Sequence, residues 1–252
     1  MKVLSWNIAG AHPFVGEVSN GRNYEKEDVD YFIDQVRKTQ ADVIFLQEAH
    51  SSENESQGRI FAEKLSYSYF KEHTYGDSHI KSGNRLTLVT LSRYPIRSTY
   101  FHALPNPKLT IQRPNGDTWI SFDVGFLITE ISYKEREMNL ANCHLVAFHY
   151  FNRDFSEIAF QNIRDDISSL LAKLTQKPSI VGGDFNFANL KKLTPSAFSE
   201  NLYEDAFVDT ETALGKGQQD HILFSHHWNL TEVVVEKARA DHYKCIVEVA
   251  LK

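Results

Sequence analysis

Cysteine is scarce in this sequence, and positive charge is not in excess. The 252 residues include only two cysteines, Cys143 and Cys245, which cannot form the disulfide framework of a small secreted domain. Both lie in apolar runs, so we expect buried free thiols and a cytoplasmic location. With 27 Lys and Arg against 33 Asp and Glu, the net charge is −6, which argues against a generally basic surface that binds nucleic acid nonspecifically.

Long hydrophobic runs, repeats and flexible linkers are also missing. No apolar stretch approaches the ~20 residues that a membrane-spanning helix needs. The N-terminal segment MKVLSWNIAG lacks the apolar core and cleavage site of a signal peptide. No tract rich in Pro, Gly or Ser divides the chain, so we expect one domain over residues 1–252, long enough to bury a full core. We expect this domain to be a monomer.

Short apolar runs alternate with amphipathic segments in both halves of the sequence. Runs rich in β-branched residues predict buried strands, and apolar residues spaced by three and four predict helices. The predicted strands are 3–8, 43–46, 86–91, 119–131, 138–146, 179–181, 221–224 and 245–251, and the predicted helices are 27–38, 58–65 and 156–174. Each half carries strands and a long helix, which favours an α/β fold with two packed sheets and helices outside.

Polar and charged residues cluster where the predicted strands end. Taken singly, each has an ordinary explanation as a turn former, a helix cap or a packing residue. Strand ends in sheet-built enzymes converge on one edge, however, and ligands bind there. We therefore treat the following residues as one candidate site: Asn7, Glu48, His144, Asp184, Asn186, Asp220, Asp241 and His242.

The chemistry of these side chains indicates a magnesium or manganese site. The carboxylates of Glu48 and Asp241 and the amide oxygen of Asn7 are hard oxygen ligands, which suit Mg²⁺ or Mn²⁺. Zinc is disfavoured because the sequence has no HExxH or CxxC spacing. Asp220 is available to orient the imidazole of His242, which would give a His–Asp pair.

Seven short motifs occur here in the order found in a known family. SWNI, FLQE, LSRYPI, NCHL, GGDFN, QDHILF and ADHY resemble the motifs of the endonuclease/exonuclease/phosphatase superfamily, the deoxyribonuclease I-like metal-dependent phosphohydrolases. The resemblance covers nearly the whole chain, from Trp6 to Val249. It implies a four-layer α/β sandwich, in which two packed mixed β-sheets are flanked by helices and the active site lies at one rim.

The resemblance also implies which residues bind the metal and the attacking water. Glu48 would be the main metal ligand. Asn7 and Asp241 would complete the metal shell directly or through water. Asp184 would orient or deprotonate the attacking water, so that positioning and electrostatics supply most of the rate.

The remaining site residues would act on the phosphate. Asn186 and His144 would hold the nonbridging oxygens as charge grows in the transition state. His242, held by Asp220, would serve as a second acid or base, or as a phosphate ligand. Whether Asp184 or His242 is the base stays open at this point.

Three positions depart from the family pattern. Ala240 stands where a serine is usual, and Ala9 stands where abasic-site endonucleases carry aspartate. His144 occupies the strand on which those enzymes use Tyr and Asn. The NCHL strand is closer to the deoxyribonuclease I, sphingomyelinase and inositol-phosphatase branches, so we do not expect a role in abasic-site repair.

Three loops could form the rim of the site, residues 10–24, 73–85 and 147–155. Arg22 and Arg85 lie in the first two loops, and either could pair bidentately with a phosphate. A solvated surface charge is the ordinary alternative for each arginine.

The third loop is aromatic. Tyr150, with Phe148 and Phe151 beside it, could stack a nucleobase or touch lipid. Packing into the core is the alternative for these three rings. Tyr150 is therefore a candidate substrate-binding residue.

These observations favour a Mg²⁺-dependent (or Mn²⁺-dependent) phosphodiesterase or phosphatase that hydrolyses a phosphoester by in-line attack of an activated water. A nucleic-acid phosphodiester is the preferred substrate, although the acidic pI of about 6.0 argues against binding of long duplexes. A phosphatase or phospholipase C-type enzyme that acts on a small phosphorylated molecule or a phospholipid headgroup stays open. A catalytically dead binding module is disfavoured because every expected acidic and histidine position is filled.

Overall fold

Sixteen strands and five α-helices lie in the residues that the computed structural model describes, 1–18, 21–112 and 116–252, without the side chains at 17, 18, 21 and 22. The strands are β1 (Lys2–Asn7), β2 (Phe14–Val18), β3 (Gly21–Tyr24), β4 (Val43–Ser51), β5 (Tyr69–Asp77), β6 (Arg85–Ser92), β7 (Ile96–Ala103), β8 (Thr110–Gln112), β9 (Thr118–Ile120), β10 (Gly125–Tyr133), β11 (Arg136–His144), β12 (Ser179–Asp184), β13 (Tyr203–Asp205), β14 (Asp220–Ser225), β15 (Trp228–Glu236) and β16 (Lys244–Leu251). The helices are α1 (Val29–Thr39), α2 (Gln57–Leu65), α3 (Gln161–Leu174), α4 (Leu190–Leu193) and α5 (Pro195–Phe198).

Two six-stranded mixed sheets form the centre of the molecule. The first has the strand order β15-β16-β1-β4-β6-β5, and the second has the order β13-β14-β12-β11-β10-β7. In the first sheet β1 is parallel to β4, and in the second β11 is parallel to β12, whereas the other pairs are antiparallel. Two hairpins, β2–β3 and β8–β9, stand apart from these sheets. The predicted α/β sandwich is confirmed.

Apolar side chains of β1 show how the layers pack. Val3 belongs to the cluster between the two sheets, together with Phe45 and Ile180. Trp6 points to the opposite face, because side chains alternate along a strand, and stacks on Phe32 of α1 with ring centroids 4.9 Å apart. A third cluster packs α3 against the second sheet. Strands buried on both faces explain the continuous apolar runs of the sequence.

Helix α1 begins close to the predicted position, whereas α3 begins later. The Asp28 side chain caps α1 by accepting a hydrogen bond from the Tyr31 amide at 3.1 Å. The predicted helix 156–174 begins only at Gln161, after a short 3₁₀ turn in which Ile158 is 84% exposed. Asp154 explains the delay, because its side chain accepts from the Ser156 amide at 2.7 Å and thereby favours a turn.

The two edge strands of the first sheet, β5 and β15, are not predicted by the apolar pattern. Most of their residues are exposed or only half-buried, so neither strand carries a long apolar run. Residues 73–77, predicted as part of a rim loop, therefore belong to β5. The first predicted rim loop, 10–24, contains the β2–β3 hairpin.

Two further expectations concern the thiols and the membrane. Cys143 and Cys245 are both free and buried, as predicted. Among the described helices, none is both long enough and apolar enough to cross a membrane.

Candidate active site

Four candidate residues meet at one edge of the two sheets. Asn7 is the last residue of β1, His144 the last of β11 and Asp184 the last of β12. Because β14 is antiparallel to β12, its first residue, Asp220, pairs with Asp184 at the same edge. The convergence expected from the strand ends therefore holds for these four residues.

Glu48 reaches the site by a different route. The sequence places it just past a strand, but β4 continues to Ser51 and Glu48 lies inside it. The register of β4 against β6 shifts between Leu46 and Ala49, and Glu48 adopts a positive φ of 54°. A β-bulge of this kind bends the strand and redirects one side chain, here into the cavity.

The Asn7 amide holds two carboxylates that come from different sheets. Its Nδ2 donates to Glu48 Oε1 at 3.2 Å and to Asp184 Oδ2 at 3.1 Å. Its Oδ1 accepts from the Ala9 amide at 3.1 Å. His144 lies on the same pair of carboxylates, with Nε2 at 3.8 Å from Glu48 Oε1 and 3.6 Å from Asp184 Oδ2.

Glu48 is ionised in this environment. Burial by itself would raise its pKa, but the charges of His79 and His144 and the hydrogen bond from Asn7 outweigh burial and lower the pKa to about 2. His79 Nε2 lies 3.7 Å from Glu48 Oε2. No sequence motif includes His79.

The His242–Asp220 pair is present beside Asp184. His242 Nδ1 donates to Asp220 Oδ2 at 2.9 Å, and its Nε2 lies 3.6 Å from Asp184 Oδ2. Burial lowers the pKa of His242, but the charges of Asp220 and Asp184 outweigh it and raise the pKa to about 10. Burial raises the pKa of Asp220 despite the adjacent imidazolium. His242 is therefore a cation near neutral pH.

Asn186 lies in a turn just past the end of β12. It adopts a φ of +54°, and its amide N–H donates to Asp184 Oδ1 at 2.9 Å. Its side-chain Nδ2 donates to the Leu145 carbonyl at 3.0 Å. A tight turn stabilised by Asp184, rather than strand alternation, brings Asn186 to the cavity. Phe185, between these two residues, is buried in the core.

Asp241 is buried behind the residues that face the cavity. Its Oδ2 accepts from the Tyr24 hydroxyl at 3.1 Å, and Tyr24 itself lines the cavity. One oxygen or nitrogen from each of Asp184, Asp220 and His242 lies within 4.8 Å of the others. A shared metal ion at this spacing would require that His242 lose its proton. Buried carboxylates with an amide and imidazoles at their edge are a donor set that fits a hard divalent cation.

Tyr75, also absent from the sequence-based set, orients His144. Its hydroxyl lies 2.6 Å from His144 Nδ1 and accepts a backbone hydrogen bond from Glu48. This contact holds the ring so that Nε2 faces the two carboxylates. No motif pointed to Tyr75, because it lies in a stretch predicted to be a loop.

A cavity of about 1020 Å³ opens above these groups. Its far wall is aromatic, with the ring of Trp119 5.7 Å from that of Tyr150 and 5.5 Å from that of Phe151. Lys216 Nζ donates to the Tyr150 hydroxyl at 2.9 Å and lies 4.6 Å from the centre of its ring. Trp119 and Lys216 are further residues that no sequence motif indicated.

The three candidate substrate-binding residues end up in different places. Tyr150 lines the cavity, whereas Phe148 packs into the core against Phe155 at 4.7 Å. Arg85 begins β6, outside the set of residues that line the cavity, with its Nε 3.8 Å from Asp77 Oδ1. Arg22 lies in β3, but its side chain is outside the described residues.

The sequence matches a model of the Endonuclease/Exonuclease/phosphatase family over residues 4–242, which is most of the chain. The chain belongs to that family. Its members are phosphoric ester hydrolases, nucleases and phosphatases, and they typically depend on a divalent metal. A comparison with curated proteins finds no significant match.

Solved structures of this family share the fold at low sequence identity. The catalytic domain of human Nocturnin with bound sulfate has a TM-score of 0.69 and 15% identity, covering 100% of this chain and 93% of that one. A mannosyl-6-phosphatase of Bacteroides thetaiotaomicron has a TM-score of 0.62 and 13% identity, covering 100% of both chains. TDP2 of D. rerio with a single-strand DNA product has a TM-score of 0.63 and 12% identity, covering 99% of this chain and 98% of that one.

Proposed function

We propose that this phosphoester hydrolase is a Mg²⁺-dependent phosphodiesterase that cuts a nucleic-acid phosphodiester by in-line attack of water. The observation that carries the proposal is the meeting of two carboxylates, the partly buried Glu48 and the buried Asp184, with the imidazoles of His144 and His242 at the floor of one cavity. The carboxylates can bind a metal ion, and the imidazoles can donate N–H hydrogen bonds to the phosphate of the substrate.

Glu48 is the principal metal ligand in this proposal, with Asn7 and Asp241 completing the shell directly or through water. Asn7 would turn its amide so that Oδ1, rather than the Nδ2 that donates to Glu48 and Asp184, faces the metal. Ionised Glu48, with its pKa lowered to about 2, is ready to bind a cation throughout the physiological pH range. Mn²⁺ could take the same hard donors. When bound, the metal would neutralise charge on the phosphate and polarise its P–O bonds.

In this proposal Asp184 orients the attacking water, and the surrounding donors hold the phosphate. Asp184 accepts from Asn7 and from the Asn186 amide, so its carboxylate is held rigidly and can orient a water toward phosphorus. His242, cationic near neutral pH, is suited to donate a proton or to hold an oxygen, which favours Asp184 as the base. The His144 imidazole and the Asn186 amide supply hydrogen-bond donors for the nonbridging oxygens.

The aromatic wall supports a nucleic acid as the substrate. A nucleobase has two flat faces, and the rings of Trp119 and Tyr150 line the same cavity as Glu48 and Asp184. Stacking on aromatic side chains is worth about 1–3 kcal/mol per base and tolerates any sequence. Lys216, held against Tyr150, adds a cation beside this wall.

The alternative is a small phosphorylated molecule or a phospholipid headgroup. One structural neighbour is a mannosyl-6-phosphatase, and another is TDP2, solved with single-strand DNA product, so the shared fold is compatible with both kinds of substrate. The experiment is a panel of single-stranded DNA, RNA, plasmid DNA, 5′-tyrosyl DNA, nucleotides, sugar phosphates, inositol phosphates and sphingomyelin, each with Mg²⁺, with Mn²⁺ and with chelator.

A pair of small esters then tests the aromatic wall. Thymidine p-nitrophenyl phosphate carries a base, whereas ethyl p-nitrophenyl phosphate carries none. We expect Trp119→Leu to lower kcat/KM for the nucleoside ester about tenfold, the loss of one stacking contact, and to change the ethyl ester little. Hydrolysis of sugar phosphates or sphingomyelin without any cleavage of nucleic acid would establish the alternative instead.

A further inference from the structure

Another buried histidine, His221, lies on β14 directly after Asp220. Its side chain is fully buried and lies on the opposite face of the strand from the catalytic pair. Its Nδ1 lies 2.5 Å from Asp205 Oδ2, and its Nε2 lies 2.8 Å from the carbonyl oxygen of Phe187. Both oxygens are acceptors, so the imidazole is placed to donate from both ring nitrogens, and Gln218 Nε2 lies 2.9 Å from the same Nδ1.

The Phe187 carbonyl ends the segment that carries two site residues. Asp184 and Asn186 belong to this segment, and Asn186 adopts the left-handed conformation there. Upstream, the Phe185 amide donates to the Gln219 carbonyl at 2.9 Å, which ties the start of the segment to the chain just before β14. The chain leaves the sheet after Asp184, where β12 ends, so the strand ladder does not hold the residues up to Phe187.

We propose that His221 is a positioning residue, which holds the Phe187 carbonyl and thereby fixes the turn that presents Asp184 and Asn186 to the phosphate. The left-handed conformation of Asn186 costs energy for a residue other than glycine. A charge-assisted hydrogen bond just after it supplies the restraint that keeps the turn closed. The effect on catalysis rests on the proposed function of Asp184 and Asn186.

Asp205, on the neighbouring strand β13, holds the imidazole of His221 from its other side. Its Oδ1 accepts from the Phe207 amide at 3.1 Å, and its Oδ2 accepts from Gln218 Nε2 at 3.1 Å. The carboxylate is therefore fixed before it meets His221. Burial lowers the pKa of His221, but the charge of Asp205 and its hydrogen bond outweigh burial and raise it.

Packing alone is the competing explanation for His221. Its ring meets Phe185 edge-on, with centroids 5.2 Å apart, so any smaller residue would loosen the core. Two substitutions of similar polarity separate the explanations. The side-chain amide of asparagine reaches only the Nδ1 position, whereas that of glutamine reaches the Nε2 position and can still donate to the Phe187 carbonyl.

We expect His221→Asn to lower kcat about tenfold or more with KM changed less than about twofold, since small misplacement of a catalytic group has effects of this order. His221→Gln should recover most of that kcat. Ile222→Val, a neighbouring change in the buried part of β14, controls for stability. His102→Gln controls for loss of a His–Asp pair, because His102 contacts Asp166 and neither residue lines the cavity. Both controls should keep the kcat of the unchanged protein.

Hydrogen–deuterium exchange of residues 185–189 gives a readout that does not depend on the reaction. We expect faster amide exchange in this segment for His221→Asn, but not for His221→Gln or the controls. Equal kcat and equal exchange in the two His221 variants, both folded, would overturn the proposal. If neither variant folds, Asp205→Asn takes their place, and unchanged exchange there would overturn it. Faster exchange with no substrate cleaved by any protein would instead sustain the proposal and refute the proposed function.

Discussion

Glu48 and Asp184 come from different sheets, yet one amide group, Nδ2 of Asn7, donates to both carboxylates at 3.2 and 3.1 Å. Like charges brought together in a buried site repel each other, unless cations or donors lie between them. Here the Asn7 amide and the His144 imidazole contact both carboxylates, and the pair is placed to bind a divalent cation. The predictions below follow from this relationship and from the contacts around it.

Glu48→Gln tests the metal site. The substitution keeps the shape of the side chain and removes its charge, so we expect a large fall in Mg²⁺ affinity and in rate with the fold retained. Isothermal titration calorimetry with Mg²⁺ measures the first effect, and the melting temperature checks the fold. Unchanged Mg²⁺ binding would show that the principal ligand lies elsewhere.

Asp184→Asn tests the orientation of the attacking water. We expect turnover to fall by about 10²–10⁴-fold, the range for a positioned base, with the melting temperature little changed. Steady-state kinetics on the best substrate of the panel measure the loss.

Phe185→Ala is the matched contrast, one residue further along the chain. Phe185 is 1% exposed, so its removal should cost about 3 kcal/mol or more of stability, while the folded fraction keeps its activity. A stable but inactive Phe185→Ala beside an active Asp184→Asn would mean that the assignment of these two side chains is reversed.

Asp220→Asn tests the charge on His242. In the unchanged protein the pKa of His242 is raised to about 10. Its charged form therefore stabilises the fold fully below the unfolded pKa of about 6.5, and this stabilisation is lost as pH rises through about 10. Removing the Asp220 charge should lower the pKa of His242 and move the loss to lower pH, which NMR titration and melting temperature against pH would both show.

The same pair can be tested by a double-mutant cycle on kcat. Asp220 acts through His242, so His242→Ala should be nearly as damaging as the double variant. Losses that add would indicate that the two residues work separately.

Tyr75→Phe tests the orientation of His144. The change removes the 2.6 Å hydrogen bond to His144 Nδ1 and keeps the ring. We expect kcat to fall more than KM changes, since His144 would contact the phosphate most strongly in the transition state. Tyr67→Phe, a change at another buried hydroxyl that contacts the Ala41 carbonyl, serves as the control and should leave kcat unaltered.

The amino-acid pattern and the motifs were enough to predict the sandwich and most of the candidate site. Buried strands such as β1 and β12 are apolar on both faces, so their composition reveals them, and the polar residues at their ends mark the shared edge. Glu48, Asp184 and His242 could therefore be found without coordinates. The edge strands β5 and β15 could not, because exposed strands carry no apolar run.

The orientation of the site side chains and the identity of their neighbours depend on contacts between distant parts of the chain. The bulge at Glu48 and the left-handed turn at Asn186 depend on pairing with other strands, which a local pattern does not record. Tyr75 and His221 act through partners 69 and 34 residues away in the chain. Contacts between residues so distant in sequence form only when the strands and sheets pack together, so a short sequence motif does not predict them.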